Sequence, residues 1–303
     1  MPTGYKEEYD NDWKIKLREE IIALLTGSAQ EQQKAYWQIG YHYNYSAPAS
    51  LYKYYPDDDF RLDSIKANKM WYSAPCKFND VFDCDITVDE AALFDCALQL
   101  APEGTKIRTG STAWKHIRQT MRQELKSFRA TFENNRSTMG ISCLSESDES
   151  LLMWAHYANN HRGICVEYDL MEINNQLHFT PVPIIYSNER VCFNNLNTDT
   201  AGNDAFAFFL RSITSKSEEW SYEREWRIIR DKAACGDRWN AEKKGALLDM
   251  VRPGSIILGC AAEECFENIV REYCKENKIP LYKMQKDQRQ YRLNKVAILE
   301  FDT

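Results

Sequence analysis

Several signatures that would name a chemistry outright are missing from this chain. Its ten cysteines contain no Cys-x-x-Cys pair and are scattered, which points to buried thiols in a reducing compartment and not to a disulfide framework. The first residues, MPTGYKEEYDNDWK, lack the apolar core of a signal peptide, and no later apolar run is long enough to span a bilayer; a cytoplasmic location with no membrane partner is expected. No His-Glu-x-x-His signature occurs, and His156 and His161 are five residues apart, a spacing that does not bring two imidazoles onto one helix face, so zinc is not expected. Gly259 lacks the companions of a dinucleotide fingerprint, and no phosphate-binding P-loop is present. With a formal net charge of -7, broad electrostatic binding to nucleic acid is not expected either. No internal repeat or low-complexity linker divides the chain.

What is present suits a globular protein. The 303 residues are 44% hydrophobic and 13% aromatic, enough for one large core or two modest ones. Trp13, Ile15, Leu17, Ile21, Ile22, Leu24 and Leu25 recur at helical spacing between Asp10 and Thr26, with Gly27 as a stop, and a second helix is expected over Gln30 to Tyr41. Residues 1–49 therefore read as an N-terminal helical extension, a candidate surface for a protein partner. From residue 50 to 303 short strands and helices alternate irregularly: LYKYY, a helix through FRLDSIKANK, MWYSAP, helices at Val88 to Leu100 and Ser111 to Asn134, then MGISCLS and ICVEYDL. VPIIYS, a helix from Asp204 to Ser215 and a closing β-α-β-β series from Ser255 complete the order. This lacks the regular alternation of a doubly wound sheet; an α+β domain with a mostly antiparallel split sheet and flanking helices is expected.

The chemistry concentrates in EEWSYEREWRIIRD, Glu218 to Asp231. A strand over Trp220 to Ile229 would align Glu223, Glu225, Arg227 and Ile229 on one face. Two carboxylates side by side repel, and one pKa should rise. The alternative is a solvated edge strand that uses its charge to discourage pairing. In KFNDVFDCD, the oxygens of Asn79, Asp80, Asp83 and Asp85 could hold a cation or make Asx-turns. His156 and Tyr157 end one expected helix, and His161 with Arg162 opens the next strand, where a structural role is as open as a catalytic one.

Four pieces in order, LYKYY, WYSAPCKFNDVFD, ISCLSESDESLLMWAHYANNHRGICVEYD and WSYEREWRII, resemble the bacterial domain-of-unknown-function family 2971. Tyr55 stands where that family commonly has an arginine after the Tyr-Lys-Tyr triplet. A second resemblance is to ADP-ribosyltransferases of the Glu-x-Glu type: Lys53 on an early strand, Ser142 or Ser145 on a middle one, and Glu223-Arg224-Glu225 on a later one. That resemblance implies NAD as a substrate, with Glu225 holding the nicotinamide ribose, Glu223 orienting the acceptor, and Ser145 and His156 as further catalytic residues. Tyr54, Tyr72, Trp154 and Tyr157 would offer a stacking surface, with Lys53, Ser142 and Arg227 beside it as further cofactor-binding residues. It also suggests a bacterial defence or toxin effector. Two other readings stay open: a metal-dependent nuclease or phosphoesterase built on Asp80, Asp83 and Glu225 with His156 or His161, and a non-catalytic sensor or adaptor in phage defence.

Overall fold

The computed structural model describes residues 12–99, 107–177, 180–194 and 201–301. It opens with a helical hairpin, α1 (Asp12–Thr26) and α2 (Ala29–Tyr45). Gly27 is required at the bend, because a Cβ there would lie 2.7 Å from the Ala23 carbonyl oxygen and 2.9 Å from the Glu31 side chain. The Ser28 backbone N–H then donates to the Glu31 carboxylate at 2.7 Å, which starts α2. The hairpin joins the main core: Leu17, Ile21, Ile39 and Tyr43 pack with the sheet residues, and Trp13 meets Trp226 with ring centroids 6.1 Å apart.

Next come β1 (Ser50–Tyr55), α3 (Asp59–Lys66, capped by Asp58), β2 (Lys69–Ser73), a single 3-10 turn at Pro75–Lys77, β3 (Thr87–Val88), α4 (Glu90–Gln99) and the long α5 (Thr112–Thr138). After α5 the chain forms β4 (Gly140–Ser145), α6 (Leu151–Tyr157), β5 (Ile164–Asp169), α7 (Leu170–Leu177), β6 (Val182–Pro183), β7 (Ile185–Ser187) and β8 (Cys192–Phe193). α8 (Ala201–Ser212), β9 (Ser215–Ser217) and a 3-10 segment at Glu218–Glu223 lead to β10 (Glu225–Arg230). The remainder is α9 (Lys232–Cys235), β11 (Trp239–Asn240), β12 (Gly245–Asp249), β13 (Ser255–Leu258), α10 (Glu264–Asn277), β14 (Leu281–Lys286) and β15 (Leu293–Leu299).

The principal sheet runs β11-β12-β2-β4-β1-β5-β13-β14-β15, with β10 joined to β4, and β6 to β10, off that path. Its pairings are antiparallel except β13 with β14, where α10 makes the crossover. The fold is α+β, a mostly antiparallel sheet flanked by helices with helices at its N-terminal end. The split lies at β4. One edge of β4 pairs with β10 along its whole length, Glu225↔Ser145 through Arg230↔Gly140. The other edge is shared, Ser145 opposite Tyr52 of β1 and Ile141 opposite Ser73 of β2. Between those two contacts the Cys143 carbonyl has no strand partner, and the Lys53 ammonium donates to it at 2.6 Å.

Three expectations need correction. The strand expected from Trp220 begins only at Glu225, because Glu218–Glu223 coil into a 3-10 segment that Arg224 ends in the left-handed region (φ 47, ψ 50). Tyr222 and Arg224 therefore do not alternate as strand residues. The helix expected to reach Ser215 ends at Ser212, and Ser215–Ser217 pair in parallel with Ile185–Ser187. The stretch between Asp231 and Ser255, where no element is expected, contains β12, which pairs with β2 from Gly245↔Ser73 to Asp249↔Lys69. The expected ends of two helices, Asp10 and Leu100, lie outside the described residues. Among the described residues no helix is long and apolar enough to cross a membrane.

Candidate functional site

The split places three strand ends side by side. Ser145 faces Tyr52 of β1 on one edge and Glu225 of β10 on the other. Its hydroxyl donates to the Glu223 carbonyl at 2.7 Å, tying the end of the 3-10 segment to β4. The Tyr186 hydroxyl accepts the Glu225 N–H at 2.8 Å, fixing the start of β10 from the far side. The left-handed turn at Arg224 between these anchors brings both glutamates to one cation. The Lys216 ammonium lies 2.5 Å from Glu223 Oε2, 3.0 Å from Glu225 Oε2 and 3.6 Å from Asp83 Oδ2.

A second cation stands behind them. Arg227 grips Glu225 with two nitrogens, Nε to Oε1 at 2.7 Å and Nη2 to Oε2 at 3.2 Å. The same Nη2 donates to Asp83 Oδ2 at 2.6 Å, Nη1 donates to the Ile213 carbonyl at 2.7 Å, and the Phe78 ring covers the guanidinium at 5.3 Å. Asp83, Glu223, Glu225 and Arg227 are 2%, 4%, 3% and 0% exposed, so this is a buried ionic network and not a decorated edge.

The hydrogen-bonded network is unbalanced, with three carboxylates and two cations; the further cation in the cleft lining, Lys53, bonds to the Cys143 carbonyl and to none of these carboxylates. The network's odd negative charge falls on the carboxylate with the weakest hold. Burial works to raise Glu225, but Arg227 and Lys216 outweigh it and keep that carboxyl well below the usual range. Glu223 shares only Lys216, and burial, with Glu225 beside it, pushes it up to about 7. Tyr157 donates its hydroxyl to Glu223 Oε1 at 2.5 Å, and burial raises the Tyr157 pKa, so the phenol stays protonated. Lys216 is pulled toward the neutral form by burial and back by the three carboxylates, which prevail and keep it charged. Lys53 is lowered by burial, its ammonium held by one backbone carbonyl.

A cleft of about 170 Å³ opens onto this network. Tyr52, Tyr54, Phe78 and Tyr157 give it aromatic walls, and Lys216, Glu223 and Glu225 form part of its lining. Of the residues expected at a site, Lys53, Tyr54, Ser145, Tyr157, Glu223 and Glu225 line it. Arg227 lies behind the carboxylates, beyond direct reach of a ligand in the cleft. Ser142 pairs with Ile228 and alternates to the opposite face of β4 from Cys143 and Ser145. Tyr72 is buried in the main core, and Trp154 lies edge-on beneath Tyr54 at 5.2 Å with its indole N–H on the Asp148 carbonyl at 2.7 Å. His156 is exposed at the end of α6, its ring centroid 6.4 Å from those of Tyr157 and Tyr222. These four do not line the cleft.

The acidic loop divides. Asp80 accepts the Phe82 N–H at 2.9 Å in an Asx-turn, and Asp85 pairs with Arg190 at 2.5 Å. Asp83 does meet Glu225, but Arg227 and Lys216 occupy the positions between them; among the described residues no group of three His, Cys, Asp or Glu is disposed to hold a metal ion. His161 does not line the cleft; its backbone N–H donates to the Trp154 carbonyl and its carbonyl accepts from the Ala261 N–H. The residues missed from sequence are Lys216, Phe78 and Tyr52. For Lys216 the available signal was electrostatic, since a run with the charge of Glu218–Glu225 must draw a cation from nearby if any of it is buried.

An α+β chain with a buried charge network at the split of an antiparallel sheet is thus defined. The model of a family described as "Protein of unknown function (DUF2971)" matches residues 153–228. That span runs from α6 to β10 and carries Tyr157, Lys216, Glu223, Glu225 and Arg227, while β1 and β4 lie outside it. The chain resembles that family over this stretch. No curated protein and no solved structure matches the chain.

Proposed function

We propose that the cleft is the site of an NAD-dependent ADP-ribosyltransferase or NAD glycohydrolase. The observation that carries this reading is the close pair of carboxylates, Glu223 and Glu225, buried beneath aromatic walls and sharing the Lys216 ammonium. The nicotinamide ring of NAD is a permanent cation while joined to ribose, and it becomes neutral on departure. A cleft that supplies negative charge and aromatic faces favours that ring and the positive charge that develops on the ribose. Lys53 of β1, Ser145 of β4 and Glu225 of β10 line that cleft, with Glu223 at the end of the 3-10 segment before β10.

In this reading the two glutamates exchange the roles that the resemblance implies. Glu225 is clamped by Arg227 and serves to hold Lys216 and the start of β10. Both line the cleft, but Glu223 is free of the Arg227 clamp and is the reacting carboxylate. As the bond between ribose C1′ and the nicotinamide nitrogen breaks, its electron pair leaves with the ring, and ionised Glu223 faces the positive charge left on the sugar. The acceptor oxygen, from water or a hydroxyl, then bonds to C1′ and gives its proton to Glu223. A base with a pKa near 7 suits that step. Tyr157 and Lys216 hold the two oxygens of Glu223 in place throughout.

Calorimetry with NAD, and separately with manganese or magnesium, tests binding. NAD should bind and the metals should not. Tight metal binding with no response to NAD would refute the proposal and favour a phosphoesterase.

A further inference from the structure

α2 carries much of its aromatic surface outward. Ala35, Ile39, His42 and Tyr43 form its buried side, whereas Tyr36, Trp37, Tyr41 and Tyr45 remain 66%, 71%, 57% and 77% exposed. On a helical wheel Trp37 lies at the centre of the outward face, with Gly40 and Tyr41 one turn further and Tyr45 beyond them. The rings touch one another, Tyr41 on Tyr45 at 5.0 Å and Tyr36 on Trp37 at 5.9 Å. So large an aromatic face left in water marks a contact surface. Gly40 adds a second observation: a Cβ there would meet nothing within 4 Å among the described residues, so this mid-helix glycine is not required by packing within the chain.

We propose that this face joins two copies of the chain, α2 packed on α2 about a twofold axis. Charge selects the occupant. From Ala35 to Tyr45 the sequence has no Asp, Glu, Lys or Arg, within a chain of net charge -7. Two such chains repel over most of their surfaces, and this face lets them approach without opposing carboxylates. The same net charge, with no cation in the stretch, works against an anionic membrane or a nucleic acid. An isologous contact is self-complementary: Trp37 of each copy can enter the notch left by Gly40 on the other. The four exposed rings offer on the order of 500 Å² per copy, below the roughly 800 Å² per partner of a standard interface, so a dimer of micromolar affinity is expected.

Sedimentation velocity from about 1 to about 200 µM tests this. The parent should pass from monomer to dimer across the range. The Trp37→Ser/Tyr41→Ser variant, altered only at exposed positions, should keep the parent's thermal midpoint and raise the dimer Kd at least about tenfold. Gly40→Gln, which fills the notch that Trp37 of the other copy enters, should weaken the dimer likewise. A monomer throughout the range would overturn the proposal. So would a dimer undiminished in the double variant and in Gly40→Gln, because the contact would then lie elsewhere.

Discussion

Glu223→Gln isolates the odd charge of the buried network. The substitution keeps size and shape, and the Gln carbonyl can accept from Tyr157 or from Lys216 but its amide nitrogen cannot accept from the other; unlike Glu it does not titrate. In the parent, burial and Glu225 raise the Glu223 pKa from its ordinary 4.5 to about 7. Below pH 4.5 the folded and unfolded chains both hold this proton. Between pH 4.5 and 7 the unfolded chain releases it and the folded chain keeps it, so this group removes stability as pH rises through that window. At about 1.4 kcal/mol per pKa unit, the loss approaches 3 kcal/mol by pH 8. Glu225 has the opposite sense: its lowered pKa supplies stability that is lost only as pH falls below the ordinary carboxylate range, and both proteins share it. Urea unfolding of parent and variant at intervals from pH 4.5 to 8 measures the difference, in which histidines and the amino terminus cancel. The parent's stability relative to the variant should fall by up to about 3 kcal/mol across the range. Parallel curves would refute the assignment of the surplus charge to Glu223.

Arg227→Met should destabilise by about 3–5 kcal/mol at neutral pH, because Glu225 and Asp83 lose a shared buried partner; chemical denaturation checks it, and a change below 1 kcal/mol would contradict the network. Gly245→Ala should cost about 1–3 kcal/mol by the same measurement, since its Cβ would stand 2.4 Å from the Trp71 ring and 2.5 Å from the Tyr72 carbonyl oxygen. Ser145→Ala should cost about 1–3 kcal/mol through the lost bond to the Glu223 carbonyl, and it should lower turnover by loosening the 3-10 segment.

The order of strands and helices was legible because α1, α5 and α10 have long helical periodicity and β4, β5 and β13 are short apolar runs between turn residues. β9 and β12 were not. Three residues set no period, and Gly245 leads β12 because Trp71 and Tyr72 crowd it, a tertiary cause invisible in the strand itself. The Glu-x-Glu pair was found through strand alternation, although the backbone that unites the carboxylates is a 3-10 segment and a left-handed residue. Alternation also placed Arg227 with Glu225, but it cannot say which side chains on a face are packed over, so a buried clamp read as a ligand contact. Ser142, Tyr72, Trp154 and His156 were drawn to the site by residue type and order along the chain, and two of them, Tyr72 and Trp154, serve the core instead.

Nicotinamide release from NAD by the parent, Glu223→Gln and Glu225→Gln, each checked for folding by thermal unfolding, tests the central claim most directly. The parent should release nicotinamide, at a rate that rises with pH through about 7 as Glu223 ionises. Glu223→Gln should lose about a hundredfold or more of that rate while staying folded, and Glu225→Gln should lower both the rate and the unfolding midpoint. No release by the parent, or full activity in a folded Glu223→Gln protein, would contradict the account.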